Sequence, residues 1–387
     1  MIPSPDTGSA DTVQKRARLE NKLVRDPQHF DDNDQRELVE LLSEHIDDLT
    51  QLSRRVFDIN KGTLLNKSDA EVGLTGRLNA RSQRRRRKRY YRKIYSGFRE
   101  RESNKIILAE GDSWFEFPVF LRDIVDWLGR REDYAVFSLA KGSDWLSNMI
   151  YQGEYIEELP IHSPDAFLIS GGGNDLVGGN RVAIMVLDPV KNGPAEPTSQ
   201  DVATLEAAQL GDVDSSEIMN GMRYLSREFF AFLNILRIQY HLMFTNLNKV
   251  EKYRKMRIIT QGYDYPIPSN RIHFGTNLKY FYQPILNLAV GNGLWLKRPL
   301  MLKGIIDEQL QRTVMKAMIF FYNDTLIKVG QGFDNVYHVD CRGLIRRKDW
   351  FDELHPKSYA FKRIARAYAF IIDEEVLQSK VVQAVDF

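Results

Sequence analysis

From residue 105 onward, short strand-like apolar segments alternate with longer segments of helical periodicity. Strands that alternate with helices are typical of a parallel sheet covered by helices on both faces. The pattern therefore predicts an α/β fold with three layers and a five-stranded parallel sheet. The predicted strands are residues 105–109, 134–139, 165–169, 256–261 and 336–340, and the predicted helices are residues 119–128, 217–249, 305–329 and 358–372.

Polar residues suited to acyl transfer stand at the ends of these predicted elements. Ser113 follows the first strand, Gly142 the second and Asn174 the third. Asp352 and His355 come just before the last predicted helix. A serine hydroxyl becomes a strong nucleophile when an imidazole takes its proton and a carboxylate orients that imidazole. Because ligands of open α/β sheets bind beyond the carboxyl ends of the strands, we expect all five residues at one edge.

The four sequence blocks that hold these residues occur in a recognisable order. They are Gly111-Asp112-Ser113-Trp114, Ala140-Lys141-Gly142, Gly171-Gly172-Gly173-Asn174-Asp175 and Asp352-Glu353-Leu354-His355. In this order the chain resembles the SGNH hydrolases, also called the GDSL esterase and lipase family. The resemblance implies a flavodoxin-like α/β/α fold and a serine esterase that needs neither cofactor nor metal.

The resemblance also implies a role for each residue. Ser113 would be the nucleophile, His355 the base and Asp352 the residue that orients the base. The backbone N–H groups of Ser113 and Gly142, with the Asn174 side-chain amide, would form the oxyanion hole. Such donors stabilise the charge that develops on the carbonyl oxygen, and losing one costs about 3 to 4 kcal/mol.

The chain departs from the family pattern in two respects. Position 114 is Trp where the family usually has Leu, and Phe115 excludes the Gly-x-Ser-x-Gly elbow of ordinary α/β-hydrolases. The interval between Asn174 and Asp352 is also long, which predicts insertions at residues 187–215 and 266–302. The first insertion is rich in Pro, Gly, Asp and Ser and is predicted to be an exposed loop.

The second insertion, residues 266–302, is apolar without clear periodicity and follows the fourth predicted strand. It is interpreted as a lid or wall of an acyl pocket, or alternatively as a buried irregular segment or an oligomer contact. Trp114, Phe115, Tyr280 and Trp295 are the candidate pocket residues. An apolar acyl group favours a lipase-like or lysophospholipase-like substrate, and a carbohydrate O-deacetylase is the alternative within the same fold.

Residues 1–104 are predicted to be an N-terminal extension to a hydrolase domain at residues 105–387. Residues 1–32 are polar and are expected to be disordered. An amphipathic helix is predicted from residue 33, with Asp34 and Glu37 as a capping box and apolar positions continuing to Ile59. Its apolar face needs a partner, which is the hydrolase body, a second helix or another copy of the chain.

A basic segment, residues 77–105, lies at the junction of this extension with the hydrolase domain. It holds thirteen Lys and Arg against two Glu, with Tyr and Phe interleaved. Such a segment can neutralise the phosphates of a nucleic acid while its aromatic rings stack on bases. It can equally bind an anionic membrane surface, or be a solvated helix that links two domains. A nucleic-acid or membrane-binding module on a hydrolase scaffold is therefore the second functional hypothesis.

The composition of the chain limits the classes of protein to which it can belong. Charged residues make up 27% of the chain and the net charge is +2, as in an ordinary globular protein. A lone cysteine, Cys341, excludes an internal disulfide, and the polar first residues lack the apolar core of a signal peptide. A cytoplasmic setting is expected. The scattered histidines and the missing phosphate-loop and dinucleotide motifs disfavour metal, nucleotide and dehydrogenase chemistry.

Overall fold

A computed structural model describes residues 10–42, 52, 69–117, 121–197, 202–203, 205, 214–269 and 295–387. Its centre is a sheet of six parallel strands in the order β2-β1-β3-β4-β5-β6. The chain is thus α/β, as the alternation predicts. The strands are β1 (Lys105–Gly111), β2 (Tyr134–Ser138), β3 (Ala166–Ser170), β4 (Arg257–Gln261), β5 (Val336–Asp340) and β6 (Val381–Gln383).

The strand count corrects the sequence prediction, which has five strands. The sixth, β6, pairs with β5 through His338 opposite Val381 and Asp340 opposite Gln383. Only three residues form this edge strand, which is too short for its periodicity to be recognised.

Every residue of β2 and β3 is buried, because helices cover both faces of the sheet. Several predicted helices appear with shifted ends, and the predicted helix at 217–249 is two helices separated by residues 223–226. The described helices are α1 (Ala10–Arg25), α2 (Asp32–Leu42), α3 (Asp69–Ile94), α4 (Ile124–Leu128), α5 (Leu146–Gln152), α6 (Glu154–His162), α7 (Gly173–Val177), α8 (Ser215–Met222), α9 (Arg227–Lys249), α10 (Lys297–Leu302), α11 (Glu308–Gln331) and α12 (Ser358–Asp373). In the described ranges no helix has the length and apolarity needed to cross a membrane.

The N-terminal helices α1 and α2 pack against α9. The expectation of disorder over residues 1–32 is therefore wrong for residues 10–25, where Leu19 and Leu23 are fully buried. The segment between α1 and α2 is held against α9, because Asn234 and Arg237 of α9 donate to the carbonyl oxygens of Pro27 and Phe30. Residues 1–9 lie outside the described chain, as do residues 43–51 and 53–68 of the predicted amphipathic face.

The start of α2 differs from the predicted capping box. The Asp31 carboxylate accepts the N–H groups of Asn33 and Asp34, and Asp34 accepts the N–H of Asp31 in return. The reciprocal pair is therefore Asp31 and Asp34 rather than Asp34 and Glu37. Asp31 satisfies the free N–H groups of the first turn, which is the physical task of an N-cap.

Helix α3 contains most of the basic segment and packs along the edge strand β2. Its Arg86 is buried and donates to the Phe115 carbonyl oxygen and to Asp123, each at 2.5 Å. The Gln83 amide donates to the Ala140 carbonyl oxygen at 2.9 Å. The interpretation of this segment as a solvated linker is therefore wrong, because one face of α3 belongs to the folded body.

Candidate active site

Ser113 lies in the tight turn that follows β1. The Asp112 carbonyl oxygen accepts the N–H groups of Phe115 and Glu116, so the chain reverses directly after the strand. Gly111 is required at the end of β1, because a Cβ there would lie 2.9 Å from the Ser170 carbonyl oxygen and from the Phe115 ring. This turn leaves Ser113 half-buried at the carboxyl edge of the sheet.

Asp352 and His355 lie on a loop just before α12. One carboxylate oxygen of Asp352 accepts the backbone N–H groups of Leu354 and His355, at 2.8 and 2.7 Å. Both carboxylate oxygens lie 2.9 Å from His355 Nδ1. Asp352 is therefore held by the backbone and in turn holds the imidazole in one orientation.

The other ring nitrogen of this imidazole, His355 Nε2, lies 2.8 Å from Ser113 Oγ. A continuous series of hydrogen bonds thus joins Asp352, His355 and Ser113, although Ser113 and His355 are 242 positions apart in the sequence. The indole N–H of Trp114 donates to the Leu354 carbonyl oxygen at 3.0 Å and ties the two loops together. Asp352 and His355 are buried, which shields their interaction from water.

Gly142 lies on the turn after β2, and Asn174 lies in the first turn of α7, just after β3. The Asn174 side-chain nitrogen donates to the Asp144 carbonyl oxygen at 2.7 Å, which uses one of its two amide hydrogens. Gly142 follows Lys141, whose N–H donates to the Gly111 carbonyl oxygen at 2.9 Å. Because β1 lies between β2 and β3, the turn that holds Gly142 and the first turn of α7, which holds Asn174, flank the turn that holds Ser113.

Beside the turn that holds Ser113 lies a buried pair that the sequence did not predict, Asp112 and Tyr263. The Tyr263 hydroxyl donates to the Asp112 carboxylate and accepts the Gly173 N–H at 3.3 Å. Burial raises the pKa of Asp112 to about 6, although the hydrogen bonds from Tyr263 and from the Trp114 N–H oppose this shift. Tyr263 follows β4, so its place at the carboxyl edge of the sheet was a usable signal.

A second overlooked carboxylate, Glu353, stands between Asp352 and His355. It is 1% exposed and accepts the N–H groups of Ser269, Leu296 and Lys297 at 2.8, 3.0 and 3.0 Å. Burial raises its pKa to about 7, against the effect of these backbone hydrogen bonds. Glu353 thereby connects the loop of His355 to the chain at 269 and at 296–297.

A small cavity, partly open to solvent, lies beside Ser113 and Asn174. Most of its lining is apolar, and the charged side chains among its lining residues are two buried aspartates. Such a lining suits an apolar group next to a few positioned polar atoms. The lining residues are Asp112, Ser113, Trp114, Gly173, Asn174, Leu176, Val177, Tyr263, Asp264, Pro266, Met315, Ile319, Trp350 and Leu354.

The four predicted pocket residues have different positions. Trp114 lines the cavity beside Ser113. Phe115 is a wrong prediction, because its ring is fully buried and packs against Tyr368 in the core. The Trp295 ring lies 6.3 Å from the His355 ring, at the site but outside the cavity lining. Tyr280 lies outside the described residues, together with the rest of residues 270–294.

No protein-family model matches the chain, and neither a curated protein nor a solved structure matches it. The geometry of the site and the order of its four sequence blocks are therefore what indicates a function for this chain.

Proposed function

We propose that the chain is a serine esterase of the SGNH type, with Ser113 as nucleophile, His355 as base and Asp352 as the residue that orients the base. The observation that carries the proposal is the 2.8 Å hydrogen bond between His355 Nε2 and Ser113 Oγ. In an acyl transfer of this kind, His355 takes the Ser113 proton as the hydroxyl oxygen attacks the ester carbonyl. The same imidazole then donates that proton to the leaving alcohol.

The intermediate of this reaction carries negative charge on the former carbonyl oxygen. In the proposed mechanism, the N–H groups of Ser113 and Gly142 and the free hydrogen of the Asn174 amide bind that oxygen. The bond from Asn174 to the Asp144 carbonyl oxygen supports this role, because it fixes the amide before substrate arrives. Water, activated by His355, then hydrolyses the acyl-enzyme and restores the Ser113 hydroxyl.

The apolar lining of the cavity favours the binding of an ester with an apolar acyl group. Leu176, Met315 and Ile319 offer dispersion contacts to a hydrocarbon chain, and no Lys or Arg is among the lining residues. A lipase-like or lysophospholipase-like substrate is therefore favoured over an acetylated sugar, which would need more hydrogen-bonding partners.

The test is hydrolysis of chromogenic esters of graded chain length, with an acetylated sugar as a further substrate. Wild type is expected to prefer the longer acyl chains, and Ser113→Ala to lose the activity. Ser103→Ala is the matched control, since Ser103 is exposed near the start of β1, at the opposite end of the sheet. Equal hydrolysis by wild type and Ser113→Ala would refute the proposal.

A further inference from the structure

One face of helix α3, here called the inner face, packs against the folded body. Arg86 and Tyr90 of this face are buried, and the Tyr90 hydroxyl lies 2.8 Å from His162 Nδ1. Near the end of the helix, Lys93 Nζ donates to the carbonyl oxygens of Arg131 and Tyr134. These contacts fix the orientation of the helix, so that its other face is presented to solvent at a defined place.

The outer face carries a row of five exposed cations, Arg81, Arg84, Arg85, Lys88 and Arg92. In the described part of the chain none of the five has an ion-pair partner. No acidic residue occurs between residues 80 and 99. The row follows the helix axis for about 16 Å, at a rise of about 1.5 Å per residue.

Such a row destabilises an isolated helix. Three pairs of like charges stand four residues apart, Arg81 with Arg85, Arg84 with Lys88, and Lys88 with Arg92, and each pair repels. An anionic partner laid along the row removes this repulsion. The arrangement therefore has the charge complementarity of a binding surface for a linear polyanion.

Two tyrosines lie at the C-terminal end of the same row, one on each side of Arg92 in the sequence. The rings of Tyr91 and Tyr95 are stacked, with centroids 5.9 Å apart and an angle of 20° between their planes. Tyr95 is 83% exposed. A flat, exposed ring next to a row of cations suits an unpaired base whose backbone phosphates contact the cations.

From this juxtaposition we infer that the outer face of α3 binds single-stranded nucleic acid. An anionic bilayer fits less well, because a helix that lies in a membrane surface inserts an apolar face. The face of α3 opposite the cations is already occupied by the sheet, and over residues 80–95 the exposed large apolar side chains of the outer face are Tyr91 and Tyr95. This inference is independent of the proposed esterase activity.

The test uses the full chain and measures the anisotropy of fluorescein-labelled oligo(U) and oligo(dT) over a range of salt concentrations. Wild type is expected to bind one or both oligonucleotides, with an affinity that falls as salt rises. The triple variant Arg84→Gln, Lys88→Gln, Arg92→Gln should lower the slope of log K against log salt by about 2, since each lost phosphate contact contributes about 0.7. Tyr95→Ala should weaken binding roughly tenfold without changing that slope.

The matched control removes three exposed cations elsewhere, in Lys249→Gln, Lys255→Gln, Arg298→Gln, and should bind as wild type does. Circular dichroism melting of each variant shows whether it is folded, and the side chains concerned are all exposed. The inference is overturned if wild type binds neither oligonucleotide, or if the α3 triple variant and the control triple variant bind equally. It is also overturned if wild type binds only vesicles of phosphatidylglycerol and phosphatidylcholine.

Discussion

The Tyr263 hydroxyl donates a hydrogen bond to the Asp112 carboxylate and accepts one from the Gly173 N–H. A single buried side chain thus connects the turn that carries Ser113 with the first turn of α7, which carries Asn174. Gly173 makes the approach possible, because a Cβ at that position would lie 2.6 Å from the Tyr263 ring and hydroxyl. The relative position of the proposed nucleophile and oxyanion donor therefore depends on a residue of neither turn.

Replacing this residue in Tyr263→Phe should impair both stability and turnover. One oxygen of the buried Asp112 carboxylate loses the Tyr263 donor and the Gly173 N–H loses its acceptor, which should lower the free energy of unfolding by about 1 to 3 kcal/mol. The two turns are then less well aligned, and kcat for ester hydrolysis should fall about 10- to 100-fold. Urea denaturation and steady-state kinetics measure the two effects. Tyr151→Phe, at a 61% exposed tyrosine, is the control and should change neither.

Asn174→Ala removes the proposed side-chain donor of the oxyanion hole. Because this donor acts on charge that develops only during the reaction, kcat should fall about 10²- to 10³-fold while KM changes little. Kinetics on the preferred chromogenic ester measure this split, with exposed Asn192→Ala as the comparison. A rise in KM at unchanged kcat would place Asn174 in ground-state binding instead.

Glu353→Gln tests the carboxylate between Asp352 and His355. Both oxygens of Glu353 accept backbone N–H groups, whereas an amide has an acceptor on one side only. At least one buried N–H is left without an acceptor, so the free energy of unfolding should fall by about 1 to 3 kcal/mol. The connection to Trp295 beside His355 should also loosen, with a loss of kcat. The exposed Glu375→Gln is the control, and equal stability of the two variants would contradict this role.

Glu110, buried at the end of β1, should make stability depend on pH. Burial raises its pKa from 4.5 to about 8, so the folded chain keeps a proton that the unfolded chain releases. The stability due to the protonated form is therefore present below pH 4.5 and is lost as pH rises toward 8. Glu110→Gln keeps the shape without titrating, and should be more stable than wild type at pH 8, by a difference on the order of 4 kcal/mol, but not at pH 4.5. Denaturation at both pH values checks this, and parallel pH dependence of the two proteins would contradict it.

Much of the architecture follows from the sequence because the strands β1 to β5 are short, apolar and separated by helices. Their carboxyl ends must meet at one edge, and that edge holds Ser113, Gly142 and Asn174. The edge strand β6 escaped prediction because three residues carry no periodicity. Helix α1 was not predicted because its sequence is mostly polar. It is stabilised by the burial of a few leucines, such as Leu19 and Leu23, against the rest of the fold.

Site residues could be predicted where a short sequence motif indicates a local turn. Residues that reach the site through contacts between distant segments could not be predicted in this way. Phe115 was misplaced because the backbone reverses after Asp112 and directs the ring into the core beside Tyr368. Tyr263 and Glu353 act through partners 151 and 57 residues away in the chain, and no local pattern reveals such pairs. The basic segment was divided into a buried and an exposed face only by its packing on β2.

The proposed esterase activity requires that His355 activates Ser113 as a nucleophile. The most direct measurement is the mass of the intact protein and of its peptides after treatment with a fluorophosphonate. We expect one adduct on Ser113 in wild type, none in Ser113→Ala, and greatly slowed labelling in His355→Ala. Absence of the adduct from folded wild-type protein, or labelling at Ser113 that is as fast in His355→Ala as in wild type, would contradict it.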